Sequence, residues 1–264
     1  AFVFSSVIDP RYAYARTLGL PPAGTLLNTT ADFTPIIVRG LSVYPDNPMK
    51  FDFIVDGGTK KDLNEENIRL EADKLIKYFL AALTIPDSDQ WVNLSPYEQN
   101  RIVEDDFGMT EMGKDLLAQD YILKQLMASL SNPDDELGRK FWERVYARAA
   151  QKYGSTEIPL DTFNKVWIMP DTAKVYEHGR HVFVLEKHLK VMLEEDYLAL
   201  QKSQGQNVTE SQGQAASEIK DVIRTVPLPE LEREVNEGKH FATLRQIYNA
   251  MILAAWFKMR LKES

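Results

Sequence analysis

The stretch from Thr110 to Leu130 constrains the fold more than any other. Met112, Leu116, Ala118, Leu123, Met127 and Leu130 recur at helical spacing, and Leu117, Tyr121 and Leu126 widen the apolar stripe. One neighbour cannot cover a stripe that wide, so a helix here needs contact on more than one side. Thr110 stands where an N-cap belongs. Just upstream, Ser95-Pro96-Tyr97-Glu98 combines a capping serine, a first-turn proline and a glutamate that reaches back to the cap amide. This predicts a short helix ending near Val103. Glu104-Asp105-Asp106 then enters a loop closed by Gly108.

The rest of the chain supplies what such a helix packs against. Thr34–Tyr44 and Met49–Asp56 read as strands, the second alternating Phe51, Phe53 and Val55 with Asp52 and Ile54. Turn formers at Pro45-Asp46-Asn47-Pro48 make the pair a hairpin. Asp62 and Glu65 have the spacing of a capping box for a helix whose stripe is Ile68, Ala72, Leu75, Ile76, Phe79, Leu80 and Leu83. Asn132-Pro133-Asp134-Asp135 starts a further helix facing inward through Leu137, Phe141, Trp142, Val145, Tyr146 and Ala149. Residues 163–186 read as a three-stranded meander: Lys165–Met169, Ala173–Glu177 and His181–Leu185. Pro170-Asp171-Thr172 and His178-Gly179-Arg180 form its turns. A helix from Lys187 to Gln201 follows. Residues 202–217 are Gln/Ser/Gly-rich and read as a linker or exposed loop. Pro227, Pro229 and Gly238 then break a helical C-terminus whose last helix carries Phe241, Leu244, Tyr248, Met251, Ile252, Ala255 and Met259.

The fold class is therefore α+β, mostly helical, with a small antiparallel sheet from the hairpin at 34–56 and the meander at 163–186. The expected division is an N-terminal arm at 1–33, a main domain at 34–201, the linker at 202–217, and C-terminal helices at 218–264 packed on the main domain. Apolar residues 1–7 followed by Ala13-Tyr14-Ala15 have the form of an export signal. No basic stretch precedes them and Asp9-Pro10-Arg11 interrupts them, so a packed arm is the first expectation and export the weaker one.

Composition narrows function mainly by exclusion. The net charge is −8 and no basic run is long enough to neutralise several phosphates, which argues against nucleic acid and against docking on anionic membranes. The chain has no cysteine, so disulfides, thiol catalysis and zinc–thiolate sites are ruled out. No Gly-rich phosphate loop, HExxH pair or GxSxG elbow occurs, and no cofactor is implied.

Several segments taken together resemble a family of bacterial proteins to which no activity is attached. They are LPPAG (20–24), FDFIVD (51–56), WVNLSPYE (91–98), TEMGKDLLAQDYILKQ (110–125), FNKVWIMPD (163–171), LKVMLEEDYLAL (189–200) and LEREVNEGKHFATLRQIYNAMILA (231–254). The resemblance implies one shared fold and a chain that continues past Ser264. It brings no ligand and no site residue.

Three functional readings follow. The first is a soluble structural or protein-interaction domain, self-associating or partnered through the nearly apolar helix at 241–259. The second is a hydrolase, acting on glycosides, that uses the central carboxylates Asp105, Asp106 and Glu111 as acid and nucleophile or base. The same residue type suits a hard cation, but an EF-hand spacing is missing. The third is a metal-binding module at His178 and His181, which flank the Gly179-Arg180 turn and approach each other if that turn closes a hairpin. Glu111 also suits a helix first turn, and turn histidines are ordinarily surface residues.

Overall fold

The computed structural model describes residues 2–5, 20–44, 46–59, 64–85, 105–153, 166–203 and 216–263. Alternation in the first hairpin works as the sequence implies. Strands β2 (Ile37–Tyr44) and β3 (Asn47–Asp56) pair antiparallel, with Phe51, Phe53 and Val55 buried on one face. The N-terminal arm adds β1 (Phe2–Ser5) along the outer edge of β3. On the other side β2 meets β5 (His181–Leu193), which pairs with β4 (Val166–His178). The result is one five-stranded antiparallel sheet in the order β1-β3-β2-β5-β4.

Two expectations for this region need correction. The three-stranded meander is instead a single long two-stranded ribbon: Pro170-Asp171-Thr172 makes a bulge inside β4, not a turn. A bulge absorbs a residue that cannot join the ladder while the strand runs on. Residues Lys187–Leu193, expected to begin a helix, continue β5. Leu189, Val191 and Leu193 keep the period of two and are buried, and the helix starts only at Glu194. The Gly179-Arg180 turn is as expected, with Gly179 at φ +59, where a side chain would be strained.

Eight helical segments accompany the sheet among the described residues: α1 (Glu65–Thr84), α2 (Asp105–Gly108), α3 (Glu111–Leu130), α4 (Glu136–Tyr153), α5 (Glu194–Ser203), α6 (Ala216–Thr225), α7 (Pro227–Glu237) and α8 (Ala242–Glu263). The cap of α1 is Asn64, whose side chain accepts from Asn67 N at 2.7 Å; Asp62 lies outside the described residues. Thr110 caps α3 as expected, accepting from Gly113 N at 3.0 Å. Residues 105–108 form the helical turn α2 where a loop was expected. Asn132-Pro133 stays in the turn before α4, and Asp135 accepts from Leu137 N at the helix start, so α4 begins later than its proline suggests. The helix expected from Ser95 to Val103 and residues 204–215 of the linker also lie outside the described residues.

The core lies between one sheet face and the helices. Phe51 of β3 meets Phe79 of α1 at 5.3 Å and Phe257 of α8 at 5.0 Å, both edge-on, the arrangement favoured by the ring quadrupoles. Helix α3 buries residues on more than one side, as its wide stripe requires, although Leu117 is exposed. Helix α8 is the central helix. Phe241, Leu244, Ile247, Tyr248, Leu253, Trp256 and Phe257 are all buried within the chain, which leaves Met259 and Leu261 as its exposed large apolar side chains. The surface expected to meet a partner is thus spent on the protein's own core. No helix among the described residues is long and apolar enough to cross a membrane.

Buried polar side chains fasten the irregular segments. Glu234, fully buried, accepts from Thr30 N and Thr30 Oγ1, each at 2.7 Å, and from His240 N at 3.3 Å. This clips the extended lead-in to the α7–α8 turn. Gly238 lies so close that a Cβ there would overlap the Glu234 carboxyl, which is why the turn takes glycine.

Candidate functional site

The register brings together a polar row on the sheet face opposite the core. Asp52 pairs with Ser42, Ser42 with His181, and His181 with His178, one residue from each of β3, β2, β5 and β4. Directly opposed residues in antiparallel strands point to the same face, so the four side chains form a line across the sheet. Ser42 Oγ and His181 Nδ1 are 2.7 Å apart. Tyr44 donates its hydroxyl to Asp52, and this carboxylate holds the Tyr44 hydroxyl above the ordinary tyrosine value. Lys50 and Arg180 lie over the Tyr44 ring, 4.5 and 4.8 Å from its centroid.

This row does not have the connectivity of a nucleophilic relay. The contact between Ser42 and His181 pairs a hydroxyl with an imidazole, but Asp52 stands on the serine's side and does not orient the histidine. Ser42 is also only 4% exposed, which keeps its oxygen from an incoming substrate. The arrangement instead orients His181: with Nδ1 engaged by Ser42, its Nε2 is the nitrogen left for other contacts. His178 lies across the strand from it, parallel to the ring of Tyr176. The structure therefore brings His178 and His181 together as the turn implies. Among the described residues, no three His, Asp or Glu side chains are grouped as metal ligands.

The central carboxylates are placed differently. Asp105 and Asp106 fall in α2, and their side chains lie outside what the structure describes. Glu111 occupies the first turn of α3 and pairs with Lys77 of α1 at 3.2 Å on the surface. Near it, Asp115 accepts from the buried Tyr78 hydroxyl, whose ionisation burial and that carboxylate suppress. These contacts tie α1 to α3. A separate open groove of about 540 Å³ lies between the lead-in and the α3–α4 turn, lined in part by Asp134, Asp135, Glu136 and Glu230.

Sequence reasoning missed one group altogether. Lys187 lies on the core side of β5, opposite Ala173, where alternation with Leu189, Val191 and Leu193 would place an apolar residue. Reading the strand through to Leu193 would have exposed it as a lysine in an apolar position. The chain matches no protein-family model, no curated protein and no solved structure.

Proposed function

We propose that this chain is a protein-interaction domain that self-associates by strand addition along the free edge of β4. One observation carries the reading: among the described residues β4 is the outermost strand, and every residue from Asp171 to Arg180 is exposed. Val175 and Tyr176 are 43% and 51% exposed, and Leu185 on the neighbouring strand 53%. An uncovered strand edge offers main-chain donors and acceptors to another strand, and its side chains then set the register. Pro170 and the bulge at Asp171 block one end of the edge; a second register shift, between Lys174 and Val175, takes its extra residue, Leu185, from β5, so 172–178 run on with no insertion in β4.

A second copy is the occupant this edge fits. Antiparallel pairing about a two-fold axis at Val175 sets Val175 against its equivalent and Lys174 against the partner's Tyr176, a cation beside an aromatic ring. Sliding the register two residues one way opposes Lys174 to itself. Two residues the other way, Val175 meets a glutamate. The contact is short, so the dimer is weak, in the range of transient association.

Sedimentation over a wide concentration range tests this. The wild-type chain dimerises reversibly, while Val175→Glu and Val175→Lys, which set like charges opposite each other, each remain monomeric. An equimolar mixture of the two variants restores a dimer. A wild-type chain that stays monomeric throughout, or variants that dimerise unchanged, overturns the proposal.

A metal-binding reading has one observation in its favour: His178 and His181 face each other across the turn, with His181 oriented by Ser42. Elemental analysis and titration with zinc decide it, since saturable binding lost in His181→Ala supports the site and no bound zinc removes it.

A further inference from the structure

Lys187 is a half-buried lysine whose amine is turned inward, in surroundings that suit its neutral form. It follows the bulge at which β5 turns away from β2; the two strands pair only from Gly40 to Ser42. Past that point Asn249 of α8 donates to Val38 O in place of a strand partner. The Lys187 amine donates into the same wedge, to Asn249 Oδ1 at 2.7 Å and to Arg245 O at 3.0 Å. A neutral amine has two N–H bonds and a lone pair, whereas an ammonium has three N–H bonds. Two acceptors are present, both uncharged, and no carboxylate among the described residues bonds to this nitrogen.

The charged groups around it have the wrong sign for an ammonium. Helix α8 contributes Arg245, and β2 contributes Arg39, which is paired with Asp56 at 2.9 Å. From β4, Asp171 is turned toward His188 at 3.2 Å, and the Tyr248 hydroxyl of α8 is directed at Thr172 O. Desolvation first, then the two guanidinium groups, lower the Lys187 pKa from 10.5 to about 7. A substantial fraction of the amine is then nucleophilic near neutral pH.

We propose that Lys187 is a modification site for carbon dioxide, which it binds as a carbamate. The amine lone pair attacks the carbon of CO2 and a C–N bond forms. One C=O π pair moves onto oxygen, and an N–H proton leaves to water, so a neutral amine becomes an N-carboxylate with no change of oxidation state. CO2 is small and uncharged, so an amine turned inward among uncharged acceptors is less closed to it than to a larger or charged electrophile. The product anion would lie near two guanidinium groups, which reverses the unfavourable electrostatics of an ammonium. The carbamate nitrogen keeps one N–H for Asn249 or the Arg245 carbonyl. This inference does not depend on dimerisation through β4.

The test uses the intact chain in 13C-labelled bicarbonate between pH 7 and 8.5, followed by O-alkylation to trap carbamates and peptide mass mapping. Trapped adduct is expected on the peptide containing Lys187, saturating with CO2, with a matching 13C carbamate resonance that Lys187→Met abolishes. Arg39→Gln keeps the amine and lowers the yield at a fixed CO2 concentration several-fold. A folded wild-type chain with no adduct at Lys187, or with adducts confined to exposed lysines and the terminal amine, overturns the proposal. Site mapping on the wild type decides even if Lys187→Met fails to fold.

Discussion

Single polar residues determine how the irregular parts of this chain are held, and Lys187 has the clearest consequence. In the unfolded chain its amine keeps a proton up to about pH 10.5; in the fold it releases it near pH 7. Between those values the unfolded state binds more protons, so stability rises with pH across that interval and the penalty is complete below about pH 7. The span corresponds to a few kcal/mol at most, at roughly 1.4 kcal/mol for each pH unit. Urea unfolding at pH 7 and pH 9.5 should therefore show the wild type more stable at the higher pH, with the difference shrinking in Lys187→Met. The buried Glu234 is better supplied: Thr30 and His240 give its oxygens donors, and the Arg233 guanidinium lies 3.9 Å away.

Between elements, the decisive contact is the one α7 makes with β5. Beyond its short pairing with β2, β5 has a bare edge at Leu189–Val191, and α7 covers it with side chains. Asn236 accepts from Leu189 N at 2.9 Å and donates to Leu189 O at 2.7 Å, while Glu232 accepts from Val191 N at 2.9 Å. These side chains substitute for a missing strand and protect an edge that would otherwise be a template for pairing. Asn236→Ala leaves both backbone groups of Leu189 unpaired and should cost about 2 kcal/mol. Hydrogen exchange is the discriminating readout: protection should fall at Leu189–Val191 with little change in the β2–β3 hairpin. Loss of protection throughout the sheet would show instead that the contact holds the whole molecule together. Among the described residues, the outer edge of β4 from Ala173 to His178 has no such cover, which is why the proposed dimer contact is placed there and not on β5.

Across the whole molecule, α8 joins the parts. It packs against α1, α3, α7 and the sheet, and its Phe257 completes the aromatic cluster with Phe51 and Phe79. Phe79→Ala removes a fully buried ring from the point where α1, α8 and β3 meet, and should cost about 3–5 kcal/mol. Because the three elements share that core, far-UV circular dichroism and tryptophan fluorescence should still report one coincident, weakened transition. Separate transitions would show that the C-terminal helices unfold independently of the sheet.

Much of this was legible in residue order. The stripes of α1 and α3, the Thr110 cap, the first hairpin, the Gly179-Arg180 turn and the proline breaks of the C-terminus are local signals, set by spacing and by what each side chain does to its own backbone. The proximity of His178 and His181 was legible for the same reason, since a two-residue turn places its flanks side by side. Other features depended on contacts distant in sequence. Pro170-Asp171-Thr172 carries turn chemistry, yet pairing along β5 turns it into a bulge. Lys187–Leu193 has spacing compatible with a helix, yet the ladder and the side chains of α7 keep it extended. The apolar face of the last helix fitted either a core or a subunit interface, and in the fold it packs against the sheet and three other helices. Strand spacing carried to Leu193 would have turned Lys187 inward, but only the assembled fold shows that it meets Asn249 and Arg245 of α8, or that Asp52, Ser42, His181 and His178 align across the sheet. Strand register and burial are properties of the assembled molecule, and they alone decide which polar groups lose water and which neighbours replace it.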